Sequence, residues 1–224
     1  MGSTPTVPVE LRKVLPAATV SAWETLSPHL PSELYLAGGT AIAVHLRHRT
    51  SADLDFFYHR AAVDLHELAA RLERLGPFAT THKAPGTLRG VFGTTKVEFL
   101  HADEVRPQRL LAEPTIVAGL PIADRKDLMA MKLKVIGDRG ELRDYFDVMK
   151  LDEEGLVSLD DGISLFLDRY LLVPSDAALT HIVGALGYLD DVEEDEALPM
   201  GKQEIAEWWQ PRQARLVRTL GRLD

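Results

Sequence analysis

Apolar and polar residues change their spacing several times along the chain, and each change predicts a new element. Leu11 to Leu26 has helical spacing, broken near Pro16, and SPHLPSE (27–33) reads as a turn from its prolines. LYLA (34–37) predicts a short buried strand, GGT (38–40) a break, and AIAVHLRHR (41–49) a helix. Ala52 to Tyr58 then alternates with period two: Ser51, Asp53, Asp55 and Phe57 share one face, and Ala52, Leu54, Phe56 and Tyr58 share the other. DLHELAARLERL (64–75) is amphipathic and ends at Gly76-Pro77.

Strands are expected around Phe78–His82, Leu88–Phe92 and Thr95–His101, antiparallel through glycine-rich turns, followed by a strand and turn in IVAGLPIAD (116–124). DRKDLMAMKLKVI predicts a helix whose Asp124-x-x-Asp127 start looks like a cap, with Gly137 and Gly140 interrupting it before ELRDYFDVMKL. Helical patterns dominate afterwards, in 156–171, 178–192 and 204–220. The expected organisation is α+β: a flexible leader at 1–10, with Pro5 and Pro8, an α/β domain at 11–151 and a helical region at 152–224.

Composition narrows the classes. With 224 residues, 46% hydrophobic and 26% charged, the chain is an ordinary globular protein. It has no cysteine, which removes disulfides, thiolate metal sites and cysteine nucleophiles and suits a cytoplasmic setting. No apolar run reaches the ~18 residues of a membrane span, and MGSTPTVPVE lacks the layout of a signal peptide. The net charge of −9 argues against a nucleic-acid binder that is basic all over, leaving room only for a local basic patch.

Candidate chemistry centres on Asp53 and Asp55. On a strand they project from one face roughly 6–7 Å apart, suited to sharing one divalent metal or a close pair of them; the plainer reading is two solvated acids at a strand edge. Gly38 and Gly39 would let a phosphate approach the backbone, and the Thr40 hydroxyl would donate to it; otherwise GGT is a turn with a helix cap. Glu98, between Val97 and Phe99, would add a third metal-binding acid or a base for an attacking hydroxyl, or would simply pair with Lys96 or another neighbour.

Lys132, Arg139 and Arg143 would neutralise triphosphate charge, or form a salt-bridged helix surface with Asp144 and Asp147. Ser51 has no His/Asp arrangement for nucleophilic catalysis; it joins Gly38, Gly39, Thr40, Arg139 and Arg143 as a candidate nucleotide-binding residue. His45 and His48, with no third ligand, suit helix packing better than metal binding, and Trp208-Trp209 suits the packing of a small helical domain.

The order GGT…DLDFF…KVEFL…KDLMAMKL…RGELRDYFDVMKL resembles the AbiEii/AbiGii-like nucleotidyltransferases, the toxin halves of bacterial toxin–antitoxin pairs to which the MenT toxins belong. The resemblance covers about 33–151; its DxD part is shared by many nucleotidyltransferases, and AMKL…RDYFDV selects this family. It implies a polymerase-β-like nucleotidyltransferase core, a mixed sheet flanked by helices, followed by a helical part. Gly38, Gly39 and Thr40 would hold nucleotide phosphates, Asp53 and Asp55 would bind Mg2+ (or Mn2+), and Lys132 would contact the nucleotide. Asp144 or Asp147 would be the last essential acid, and Glu98 stands where many nucleotidyltransferases carry a third.

The implied reaction takes a nucleoside triphosphate (NTP) and transfers its monophosphate to RNA, the tRNA 3′ end first, releasing pyrophosphate; a cognate antitoxin is the implied partner. Arg125, Lys126, Lys132, Lys134, Arg139 and Arg143 would form the local basic patch. Two alternatives remain: transfer to an aminoglycoside-like small molecule or a protein, favoured by the acidic balance, and a non-catalytic nucleotide-binding or partner-regulating module.

Overall fold

The structure is a computed structural model and describes residues 5–59, 63–154 and 157–220. The chain forms two compact units, Met1–Gln108 with Ala112–Asp124, and Arg109–Leu111 with Arg125–Asp224.

The first unit holds α1 (Ala17–Leu26), β1 (Tyr35–Ala37), α2 (Gly38–Leu46), β2 (Leu54–Tyr58), α3 (Leu65–Leu75), β3 (Phe78–Ala84), β4 (Thr87–Phe92), β5 (Thr95–His101), β6 (Thr115–Val117) and β7 (Leu120–Ile122). They build one seven-stranded mixed sheet in the order β3-β4-β5-β2-β1-β7-β6. The alternation read from the sequence decides how β2 lies: Leu54, Phe56 and Tyr58 are buried, and Phe56 stacks on Phe99 of β5 at 5.3 Å. β2 runs parallel to β5 and antiparallel to β1. A parallel pair needs a crossover connection, and α3 with the β3–β4 hairpin supplies it. Asp64 caps α3 by accepting the His66 and Glu67 N–H groups, and Leu68 and Leu72 turn to the core.

Two local findings differ from the sequence reading. The segment 116–124, expected to be a strand and turn, holds a second strand as well and forms most of the β6–β7 hairpin, whose Ala118 and Gly119 both have positive φ (43° and 81°). That pair of signs is the turn whose twist matches antiparallel strands. The leader is also partly anchored: Val7 is buried and its N–H donates to Glu24 Oε1 at 2.9 Å, while residues 1–4 lie outside the described residues.

The second unit holds α4 (Arg125–Asp138), α5 (Leu142–Glu153), α6 (Leu159–Tyr170), α7 (Ala177–Ala185) and α8 (Lys202–Leu220). It begins at α4 rather than at residue 152, so the expected domain boundary and the division into compact units differ. α4 also continues through Gly137, expected to interrupt it. A Cβ there would collide with Ile182 of α7, so glycine allows the two helices to pack closely.

The Asp127 carboxylate, in the first turn of α4, is fully buried, pairs with fully buried Arg169 of α6 and accepts the Leu111 N–H at 3.0 Å. Arg169 also donates to the Arg109 carbonyl at 3.2 Å, which holds residues 109–111 in this unit. Trp209 is fully buried, edge-on to Tyr145 at 5.7 Å, in the packing role expected of it. Among the described residues no helix is long and apolar enough to cross a membrane.

Candidate active site

The first unit gathers Gly38, Gly39, Thr40, Ser51, Asp53, Asp55 and Glu98 around the junction of β1 with α2 and the start of β2. Ala37, the last residue of β1, pairs with Asp55, and Asp55 pairs in turn with Glu98 of β5. β1 therefore delivers Gly38 against the Asp55 carboxylate. A Cβ on residue 38 would overlap Asp55 Oδ2, and Gly38 has φ +66°. Only glycine meets both conditions without strain. α2 starts at Gly38 itself, so the two glycines form the first residues of a helix rather than a loop before it.

Thr40 has a different part from the one expected. It is buried, its Oγ1 hydrogen-bonds the Asp53 carbonyl oxygen, and Ser51 Oγ lies 2.8 Å from it. A carbonyl accepts only, so the single Thr40 proton goes to Asp53 O. That commits the hydroxyl expected to donate to a phosphate to holding the segment that carries Asp53. Two further bonds fix the same segment: Ser51 N–H donates to Val14 O at 3.0 Å, and Thr19 Oγ1 donates to Ala52 O at 2.8 Å. Asp55 thus stands on β2 and Asp53 immediately before it, at the end of a segment pinned at three consecutive residues.

Glu98 is in register beside Asp55 but is held elsewhere. Arg89, its cross-strand partner on β4, places Nε 3.2 Å from Glu98 Oε2. Among the described residues no group of three or more His, Cys, Asp or Glu is arranged to hold a metal ion. The expected three-acid set therefore reduces to Asp53 and Asp55. Their all-oxygen chemistry suits Mg2+ or Mn2+, which is commonly held by one or two carboxylates together with substrate phosphates. The missing Cβ at Gly38 lets the Asp55 carboxylate pack against the backbone there. His45 Nε2 lies 2.8 Å from the Ala123 carbonyl, a contact between α2 and the residue after β7.

The second unit gathers the remaining candidates. Lys132 of α4, 7% exposed, places Nζ 2.6 Å from Asp144 Oδ1 and 2.8 Å from Asp147 Oδ2, both on α5. Asp144 also accepts the Glu141 N–H at 3.0 Å, closing a capping box at the start of α5. The sequence could not choose between Asp144 and Asp147; the structure places both on Lys132. Arg139 and Arg143 do not pair with those aspartates. Both reach Glu141, Arg139 at 3.1 Å, and Lys134 pairs with Asp138 at 2.6 Å. The six-residue basic patch is thus largely matched by acids. Next to the cluster, burial and the Asp191 and Asp144 charges push the Tyr145 hydroxyl up to about 12.

One residue of the first unit escaped the sequence reading. Arg49 is half-buried, and a Cβ on residue 39 would lie 2.5 Å from Arg49 Nη2. Its signal was present in LRHRTSADLD, a cation four positions before Asp53, but nothing in the spacing showed that the chain folds back over Gly39.

A glycine pair thus opens a helix beside the segment that carries Asp53 and Asp55, on a mixed sheet. Residues 25–220 match the family described as nucleotidyl transferase AbiEii toxin of type IV toxin–antitoxin systems, and the chain belongs to that family. It is a nucleotidyltransferase, and membership implies an NTP substrate and an antitoxin partner. An uncharacterized protein of Aquifex aeolicus is 25% identical over 186 residues, 83% of this chain and 87% of its own. MenT4, a nucleotidyltransferase toxin of Mycobacterium tuberculosis, superposes with a TM-score of 0.54 at 18% identity over 97% of this chain and 87% of its own. The antibiotic-resistance factor ANT(2″)-Ia gives a TM-score of 0.47 at 16% identity over 70% of this chain and 87% of its own. The fold is the polymerase-β-like nucleotidyltransferase fold expected from the motifs.

Proposed function

We propose that the first unit binds an NTP with Mg2+ (or Mn2+) at Asp53 and Asp55 and transfers its monophosphate to RNA, the tRNA 3′ end first. The observation that carries this reading is the pinned segment that brings Asp53 to the start of β2, with Asp55 against the Cβ-less Gly38. Gly38 and Gly39 admit the phosphates. Asp53 and Asp55 orient them, with Thr40 keeping Asp53 in place. The acceptor hydroxyl oxygen bonds to the α-phosphorus, the bond to the β-phosphate oxygen breaks, pyrophosphate leaves, and the hydroxyl proton passes to a carboxylate of the same face. The metal, when bound, supplies Lewis-acid stabilisation of the entering and leaving oxygens. Reaction roles for Lys132 and for Asp144 or Asp147, and nucleotide contacts by Arg139 and Arg143, rest on the family resemblance. A chain without cysteine suits a reducing compartment, and the cytoplasm is its proposed site of action.

A second reading has one observation in its favour. Lys132, Lys134, Arg139 and Arg143 are all matched by acids, and the chain carries −9, which suits a cationic small acceptor better than a polyanion.

The deciding experiment incubates the protein and Mg2+ with each α-labelled NTP, offering total tRNA or a panel of aminoglycosides. Label on tRNA, abolished by Asp53→Ala, is the expected result. Label on the small molecules alone selects the second reading, and equal labelling by Asp53→Ala refutes both.

A further inference from the structure

We infer that Arg49 is a triphosphate-binding residue of this site, with its guanidinium held over Gly39 in space that any other residue's side chain would fill. The inference rests on the reading that the site takes an NTP. Its basis is how the chain returns after α2. Arg47 ends that helix in the left-handed conformation (φ 55°), its N–H bonded to Ala43 O at 2.9 Å. Residues 48–53 then double back, and three consecutive residues of the returning segment are tied down at Ser51, Ala52 and Asp53. The segment is therefore fixed where it passes the glycine pair. Arg49 Nη1 donates to Thr50 O at 3.1 Å, which fixes one edge of the guanidinium. The other edge is at Gly39: a Cβ there would lie 2.5 Å from Nη2 and 3.4 Å from Cζ, with Ser51 Oγ at 3.3 Å.

Electrostatics gives this placement a purpose. The face carries Asp53, Asp55 and Glu98, and the cation beside Glu98 is Arg89, at 3.2 Å. A triphosphate approaching Asp53 and Asp55 meets like charge, and Arg49 puts a positive group at the residue whose missing side chain opens the way. A guanidinium presents a planar fork that pairs two phosphate oxygens at once, which a lysine ammonium cannot do. Gly39 and Arg49 then form one device: the glycine makes room and the arginine binds in it.

The test uses inorganic tripolyphosphate, a probe independent of the unknown base, titrated calorimetrically into the full chain in Mg2+ buffer. Arg49→Ala is expected to weaken binding about tenfold or more, the loss of one charge-assisted contact. Arg49→Lys is expected to recover part of it. Gly39→Ala, which drives a Cβ into the guanidinium, should weaken binding comparably, and the Gly39→Ala/Arg49→Ala double variant should be no worse than Arg49→Ala, since both act on one contact. In labelling assays Arg49→Ala should raise KM for the NTP far more than it lowers kcat, which general loosening of the fold would not do. Circular dichroism checks folding; should Arg49→Ala not fold, Arg49→Lys and Gly39→Ala carry the test. Arg49→Ala binding tripolyphosphate within twofold of the unmodified chain, while that chain still labels its acceptor, overturns the role of Arg49 alone. An unmodified chain that neither binds tripolyphosphate nor incorporates label overturns the NTP reading and this inference together.

Discussion

Replacing Arg169 with methionine removes the cation from a pair in which neither side chain touches water. Asp127 would keep the Leu111 N–H but lose its counter-charge and face apolar neighbours. A buried carboxylate has one escape, which is to take up a proton. The cost of folding the variant is therefore capped by the cost of protonating an aspartate: about three pH units above its ordinary value at pH 7, or about 4 kcal/mol. At pH 5 the same reasoning gives only about 1.5 kcal/mol. The sign follows from linkage: the folded variant raises the Asp127 pKa above its unfolded value, so the destabilisation is absent below the unfolded pKa and grows as pH rises.

Asp127→Asn is the control. It leaves a buried guanidinium that cannot shed its proton, so its cost should not shrink as pH falls. Thermal midpoints measured at pH 5 and pH 7 would read the difference, with Arg169→Met lowering the midpoint by roughly 8–16 °C at pH 7 and by much less at pH 5. Equal losses for Arg169→Met at the two pH values would refute the account of the pair as a charge balance.

Two further outcomes follow from the same accounting. Thr40→Val keeps the shape but removes the proton that holds Asp53 O; urea unfolding should show a loss of about 1–2 kcal/mol, and kcat should fall more than KM rises, whereas a phosphate-donor role would chiefly raise KM. Tyr145, raised to about 12, should make the fold lose stability as pH climbs from 10 through that value, because the unfolded chain ionises first; Tyr145→Phe, which also gives up the bonds to Ala185 O and Tyr188 O, should flatten that alkaline loss in denaturation curves, and an unchanged slope would refute the assignment.

Much of this protein was legible in one dimension because the signals are local. Period-two alternation over 52–58 assigns Asp53 and Asp55 to one face before any partner strand is known, and Leu54, Phe56 and Tyr58 are buried as it requires. The helical spacing of α3 and α5 likewise depends on neighbours a few positions away. Partnership is not local, and there the sequence reading went astray. Asp127 reads as part of a helix start, and nothing near it in sequence shows its buried partner Arg169, 42 positions on. Glu98 looks like a third metal ligand until β4 brings Arg89 across from it. Thr40 reads as a phosphate donor until the return of the chain places Asp53 O within reach of its proton. Arg49 was visible only as a cation near Asp53, because its place depends on the side chain that Gly39 lacks. The sequence by itself determined which groups could do chemistry and on which face they stand. Only the tertiary structure decided which of their charges and protons are already committed, since that depends on residues brought together from distant parts of the chain.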